Sequence, residues 1–64
     1  MGKHGEKILD VRELAEFLRV NPAAVYQGVK RGTIPHFMVG QQIRFRFSEI
    51  EKWMEAGGTT REEE

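Results

Sequence analysis

The chain contains no cysteine, which excludes disulfide bonds and zinc sites built from thiolates. Its two histidines, His4 and His36, lie too far apart in sequence to suggest a metal pair, so we expect neither a metal nor a cofactor. No run approaches the roughly 18 apolar residues of a membrane span, and residues 1–7 lack the apolar segment of a signal peptide. These absences favour a cytoplasmic protein that does not bind a membrane.

A length of 64 residues leaves room for one small domain. Such a chain buries only about 60% of its unfolded surface, and its core must be held by packing because no disulfide or thiolate metal site is available. A deep catalytic cleft does not fit a core of this size. We therefore expect a protein that is not an enzyme and that has no small-molecule ligand.

Acidic residues are missing from the middle of the chain. The whole sequence has ten Lys or Arg and ten Asp or Glu, yet residues 17–47 contain five basic residues and no acidic one. Residues 1–16 carry a net charge of −1 and residues 48–64 a net charge of −4, so the neutral total conceals a segment of +5. This segment is a candidate surface for a polyanion, although a basic middle can also arise by chance in a small domain.

A first helix is predicted to begin at Asp10. Glu13 follows three residues later, which is a capping-box pattern. The apolar residues that come next recur at helical spacing on one face: Val11, Leu14, Ala15 and Leu18. The helix should end near Arg19, because the residue before Pro22 avoids the helical conformation.

A second helix is predicted from Pro22 to Lys30 or Arg31, with Asn21 as its N-cap and Gly32 as a left-handed C-cap. Only two large apolar residues, Val25 and Val29, face inward. The outer face carries small or hydrogen-bonding side chains: Ala23, Ala24, Tyr26, Gln27 and Lys30. Two helices joined by a tight break, the second with such an outer face, are typical of a helix-turn-helix.

Gly28 is unexpected within this second helix. A mid-helix glycine costs about 0.5–1 kcal/mol relative to alanine. It therefore either permits a close approach to the backbone or is a tolerated local weakness.

A change to period-two alternation after Pro35 predicts a β-hairpin. In residues 43–47 the apolar side chains share one face and the arginines the other, while Phe37 and Val39 alternate in the preceding run. Residues 40–42 predict a turn of about three residues, with Gly40 able to take a positive φ. We expect the Phe, Ile and Val side chains of this hairpin to lie against the helices.

A third helix is predicted after the hairpin. Ser48 with Glu51 resembles a second capping box, and the helix should end near residues 56–57 with three residues facing inward: Ile50, Trp53 and Met54. Trp53 and the phenylalanines are expected in the core, not as a stacking platform for single-stranded nucleic acid. The predicted fold is mainly α with a small β-hairpin, in the order helix, helix, hairpin, helix. It spans residues 8–56, and residues 1–7 and the acidic tail 57–64 are expected to be disordered.

Five short motifs in this order resemble the winged helix-turn-helix domains of the excisionase type, relatives of the DNA-binding domain of MerR-like regulators. The motifs are LDVRELAEFL at 9–18, NPAAVY at 21–26, KRGTIP at 30–35, VGQQIRF at 39–45 and SEIEKWM at 48–54. The resemblance implies a bacterial or phage protein that binds double-stranded DNA. It places the recognition helix 22–31 in the major groove and the wing 36–47 on the adjacent backbone or minor groove.

The resemblance also implies a role in excision, transcription regulation or, as in related phage proteins, DNA packaging. The chain departs from the family pattern at Gln27, Gln41 and Gln42, where basic residues are usual, and at Gly28, where an aliphatic residue is usual. Fewer cations imply fewer phosphate contacts.

Nine residues are candidates for contact with DNA: Asn21, Ala23, Ala24, Tyr26, Gln27, Lys30, Arg31, Arg44 and Arg46. Arg44 and Arg46 should reach one backbone or groove from the outer face of the wing, unless they form only a solvated strand face.

Lys30 and Arg31 suit either phosphates or the negative end of the helix dipole, and the two roles are compatible. Tyr26 could donate its hydroxyl to a phosphate or pack on the wing. Gln27 is the candidate reader of adenine in the major groove.

The remaining candidates have structural alternatives beside the functional ones. Asn21 is more readily explained as a helix cap than as a base reader. Ala23 and Ala24 could touch a thymine methyl or simply allow close approach. His36, beside Pro35, is better explained by packing than by function.

Two classes of function fit these features. The first is sequence-selective binding of duplex DNA by a domain that needs self-association, cooperative binding or a larger partner to bind tightly. The second is a protein-interaction module on a winged-helix scaffold. The acid-free segment 17–47 favours the first, because a protein-binding surface has no reason to exclude every carboxylate.

Overall fold

The computed structural model describes residues 7–58, which form three helices and a small antiparallel sheet. The helices are α1 (Val11–Leu18), α2 (Pro22–Arg31) and α3 (Phe47–Glu55). The strands are β1 (Ile8–Leu9), β2 (Phe37–Val39) and β3 (Gln42–Arg46). The predicted fold class is confirmed, with one strand more than the sequence indicated. The disorder predicted for residues 1–7 and 57–64 concerns mainly residues 1–6 and 59–64, which lie outside the described residues. Within the described residues, Lys7, Gly57 and Gly58 make backbone hydrogen bonds of 2.9, 3.1 and 2.8 Å.

Helix α1 begins with the capping box that the sequence predicts. Asp10 Oδ1 accepts the Glu13 N–H at 2.8 Å, and the Asp10 N–H donates to Glu13 Oε1 at 3.0 Å. The helix ends at Arg19, which adopts the left-handed conformation with φ 61°. The Val20 N–H then donates to the Ala15 carbonyl at 2.9 Å, which satisfies an end carbonyl of the helix and fixes the tight break.

Helix α2 begins and ends as predicted. Asn21 is the N-cap, its Oδ1 accepting the Ala23 N–H at 3.3 Å, and Pro22 occupies the first helical turn. Gly32 closes the helix at φ 76°, a conformation that glycine adopts without a steric penalty.

The sheet has the order β1-β3-β2, so β3 is paired on both sides. Strand β1 was not predicted from the sequence. It pairs Ile8 with Arg46 and Leu9 with Phe45, and the Lys7 carbonyl accepts the Phe47 N–H at 2.9 Å. A strand of two residues is too short to show an alternating pattern, so only the structure reveals it.

The turn of the hairpin is shorter than predicted. Gln42 pairs with Val39 and belongs to β3, which leaves Gly40 and Gln41 as a two-residue turn, with Gly40 at φ 62°. The wing is thus Phe37–Arg46, not 36–47.

The capping box predicted for Ser48 and Glu51 is wrong. Helix α3 begins at Phe47, and its N-cap is Arg46, which makes no side-chain capping hydrogen bond. The helix continues directly from β3, and the Lys7 carbonyl accepts the first N–H of α3, one of the four N–H groups that have no partner within the helix. The predicted end near residues 56–57 is confirmed, with Ala56 as the C-cap.

The core lies between the helices and β3. Its buried residues are Leu9, Val11, Leu14, Ala15, Val25, Ile34, Phe45 and Ile50. Leu18, Val29, Ile43, Phe47 and Trp53 are partly buried against it. The predicted apolar faces of α1 and α2 are therefore confirmed.

Three side chains predicted in the core are exposed: Phe17, Val39 and Met54. Phe17 makes an edge-to-face contact with Phe47, with ring centroids 5.2 Å apart, instead of entering the core. Val39 lies directly opposite Gln42, and opposite residues of an antiparallel pair project to the same face, so it belongs to the polar face of the hairpin. On α3, Ile50 is buried and Trp53 partly buried, while Met54 is exposed at the edge of this face.

No helix within residues 7–58 is long and apolar enough to cross a lipid bilayer.

Candidate nucleic-acid interface

The outer face of α2 is exposed to solvent. Val25 is the one buried residue of this helix and turns toward the core, while Ala23, Ala24, Tyr26 and Gln27 are exposed. Tyr26 is 55% exposed, and it lines a groove beside the hairpin. The helix thus presents methyl groups, a phenol and an amide on one side, all of which suit contact with base edges or phosphates.

Lys30 and Arg31 occupy the last turn of α2 and are both exposed. Their charges lie at the negative end of the helix dipole, where a cation stabilises the helix whether or not it also binds a phosphate. Asn21, at the other end, is a cap as expected, and its side chain is exposed.

Gly28 permits a close approach, but the approaching group belongs to the same chain. A Cβ at this position would lie 2.7 Å from Ile34 Cγ1 and 3.4 Å from Thr33 Oγ1. The Thr33 N–H and hydroxyl also donate to the Gly28 carbonyl, at 2.9 and 3.2 Å. Gly28 therefore allows Ile34, in the segment after α2, to pack into the core. This contact within the chain explains the glycine without any contact to DNA.

The two arginines of the wing have different surroundings. Arg46 is exposed and lies over the ring of Phe37, with its guanidinium carbon 5.2 Å from the ring centroid, a cation–π geometry. Arg44 is half-buried: its Nη1 donates to the Ile43 carbonyl at 2.7 Å and its Nη2 to Gln42 Oε1 at 2.9 Å. Phe37 was predicted to face the helices, but it pairs with Arg44 and shares the arginine face.

His36 is exposed, so the packing that the sequence suggested for it is not confirmed. Its Nδ1 lies 2.9 Å from the Ile34 carbonyl, so the ring is held beside the segment that follows α2. Within residues 7–58 no group of three or more His, Cys, Asp or Glu side chains is placed to hold a metal ion.

A groove separates the wing from the helices and brings together two of the predicted site residues. Tyr26 and Arg44 line it, together with Arg12 at the start of α1 and Gln41 in the turn of the hairpin. Arg12 was not predicted as a site residue because it lies in the net negative segment 1–16. A helical wheel of α1 places Arg12 on the face away from the core, and this exposure is the one indication of a binding role in the sequence.

These features define the class of protein. A helix-turn-helix with an exposed second helix, followed by a β-hairpin that carries arginines, is a winged helix-turn-helix domain. The family model described as "Helix-turn-helix domain" matches residues 8–58, most of the chain, and the chain belongs to this DNA-binding family. The resemblance to excisionase-like domains is thereby confirmed. No curated protein and no solved structure shows a significant match.

Proposed function

We propose that this domain binds duplex DNA selectively, with α2 in the major groove and the β2–β3 hairpin on the adjacent backbone or minor groove. One observation carries the proposal: the segment that forms α2 and the wing has five basic residues and no acidic one. Four of these cations lie at the end of α2 and on the wing: Lys30, Arg31, Arg44 and Arg46.

The exposed side chains have distinct roles in this proposal. The Gln27 amide pairs with the major-groove edge of adenine, while Ala23 and Ala24 touch a thymine methyl or allow close approach. Lys30, Arg31 and the wing arginines neutralise phosphates, and the Tyr26 hydroxyl donates to another. Asn21 acts through its cap, which fixes where α2 begins.

The biological setting follows from the excisionase likeness. We propose a non-enzymatic role in site-specific recombination or transcription regulation in the cytoplasm, at the nucleoid, with phage DNA packaging as the alternative. A single domain with few phosphate contacts binds weakly. Tight binding then requires self-association, cooperative binding on repeated sites or a larger partner.

The test is a fluorescence anisotropy titration with a labelled mixed-sequence duplex at several salt concentrations. If about four to six phosphates are neutralised, log K should fall with log salt at a slope of roughly −4 to −5. The double variant Arg44→Glu with Arg46→Glu should lose most of this binding, because it places two carboxylates against the DNA backbone.

A matched control changes the net charge equally at another place. Lys7→Glu with Lys52→Glu alters two exposed cations outside segment 17–47 and should bind far better than the wing variant. A second variant, Lys30→Gln with Arg31→Gln, probes the same surface without altering the hairpin. Absence of salt-dependent binding by the native protein would contradict the proposal and favour the protein-interaction module.

A further inference from the structure

The groove between the wing and the helices contains an unusual collection of hydrogen-bond donors. Arg12 comes from α1, Tyr26 from α2, Gln41 from the turn of the hairpin, and Gln42 and Arg44 from β3. Two guanidiniums, a phenol hydroxyl and side-chain amides all donate hydrogen bonds. Three separate segments of the fold thus converge on one space with the donors that an oxyanion requires.

The net charge of the groove is positive despite one carboxylate at its edge. Asp10 also lines the groove, but its Oδ1 accepts the Glu13 N–H and it lies at the positive end of α1. Two arginines against one aspartate leave a net charge of about +1, which matches a phosphodiester that carries a single negative charge.

Arg44 is held in place before any ligand arrives. Its two hydrogen bonds, to the Ile43 carbonyl and the Gln42 amide oxygen, fix the guanidinium at the side of the groove. They leave three of its five N–H donors for another acceptor. A donor fixed in this way loses little side-chain entropy when it binds a phosphate.

Arg12 occupies a position that does not favour folding. It is the second residue of α1, where the N-terminal dipole of the helix disfavours a cation. Its side chain is exposed, and its guanidinium has no hydrogen-bond or salt-bridge partner within residues 7–58. A cation in an unfavourable helix position, at the edge of a groove rich in donors, indicates a binding role.

We infer that this groove binds one backbone phosphate of duplex DNA and that Arg12 is a phosphate-binding residue beside Arg44 and Tyr26. The inference rests on the proposed function, and it adds a contact from α1 to those from α2 and the wing. With three segments on one phosphate, the groove sets the distance between α2 and the wing on the duplex.

The test compares the salt dependence of DNA binding for Arg12→Gln, Arg12→Lys and the native protein, with the same labelled duplex. Loss of one phosphate contact should make the slope of log K against log salt shallower by about 0.9 and weaken binding about five- to tenfold at 0.1 M salt. Arg12→Lys keeps the charge and should keep the slope. Arg12→Gln should fold normally, since it removes a cation from the first turn of a helix, and circular dichroism checks this.

Lys52→Gln is the matched control, because it removes the same charge from α3. It should leave the slope unchanged and alter affinity less than about twofold, since it acts only through the screened field of the whole molecule. If Arg12→Gln behaves like Lys52→Gln while the native protein still binds with a steep salt dependence, the groove does not bind phosphate and the proposed function stands. If the native protein shows no salt-dependent binding, the proposed function itself fails.

Discussion

The backbone of α2 and the side chain of Ile34 meet at Gly28. Ile34 is buried, and it reaches the core only because position 28 has no Cβ. The general rule that Gly→Ala stabilises a helix by about 0.5–1 kcal/mol therefore has the wrong sign at this position.

We predict that Gly28→Ala destabilises the domain by about 1–3 kcal/mol, the usual cost of overpacking a core. Urea unfolding of the native protein and the variant measures this difference. The control is a double-mutant cycle with Ile34→Val, which removes Cδ1, the atom nearest the added methyl group. The penalty should shrink in the Ile34→Val background, and an unchanged penalty would show that the steric explanation is incorrect.

Single residues were predictable where a local rule decides their conformation. The caps at Asp10 and Asn21 and the left-handed conformation of Gly32 depend only on residues within a few positions in the chain. The local sequence is therefore enough to predict them. The position of Arg12 beside the groove was not predicted, because the hairpin that forms the other side lies about 30 residues away in the chain. The face that Phe37 occupies was not predicted correctly, because it depends on the register of β2 with β3. Neither can be read from the spacing of neighbours along the chain.

At the scale of elements, α1 depends on its first turn. The helix has eight residues, too few to be stable alone in water, and it joins the core through Val11, Leu14 and Ala15. Its capping box satisfies the backbone N–H of Glu13 and that of Asp10.

We predict that Asp10→Ala lowers the free energy of unfolding by about 1 kcal/mol, within the range of about 0.5–2 kcal/mol for loss of an N-cap. Asp10→Asn keeps an oxygen acceptor in the same place and should recover most of the loss. Thermal and urea unfolding measure both changes. Equal destabilisation by Ala and Asn would show that charge, not the hydrogen bond, is what Asp10 contributes.

The helices were easier to predict than the sheet. Helical periodicity extends over eight to ten residues in α1 and α2, whereas β1 has two residues and β2 three. The start of α3 was misplaced because its first N–H is satisfied by the Lys7 carbonyl, 40 residues earlier in the chain, and not by a nearby side chain. Long-range backbone pairing leaves no local signal in the sequence.

At the scale of the whole molecule, opposite charges occupy different parts of the fold. The cations of segment 17–47 lie at the end of α1, on α2 and on the wing, while α3 carries Glu49, Glu51 and Glu55 against a single lysine. The neutral net charge is thus the sum of a positive and two negative regions. Because a charge acts over about 10 Å at 0.1 M salt, the affinity of a surface for DNA depends mainly on the charges near that surface.

We predict that Glu51→Gln with Glu55→Gln raises affinity for non-specific duplex DNA by about two- to fivefold at low salt, because it removes two charges that repel the backbone. Glu49 is left unchanged, because it lies in the first turn of α3, where a negative charge interacts favourably with the helix dipole and stabilises the helix. The gain should fade as salt increases, so the slope of log K against log salt should become somewhat steeper than that of the native protein. The titration described above measures it, and an equal gain at high salt would point to a direct contact instead.

Pairing of β1 with β3 joins residues that are 36 positions apart in the chain, Leu9 and Phe45. Closing so long a loop has an entropic cost that is recovered only when most of the chain is present. A nascent polypeptide can form α1 and α2 early, but it cannot complete the sheet until the last strand and the start of α3 have been synthesised. The wing consequently cannot acquire its final shape before β3 has been synthesised, and a chain interrupted before residue 42 would contain α2 without the strand that carries Arg44.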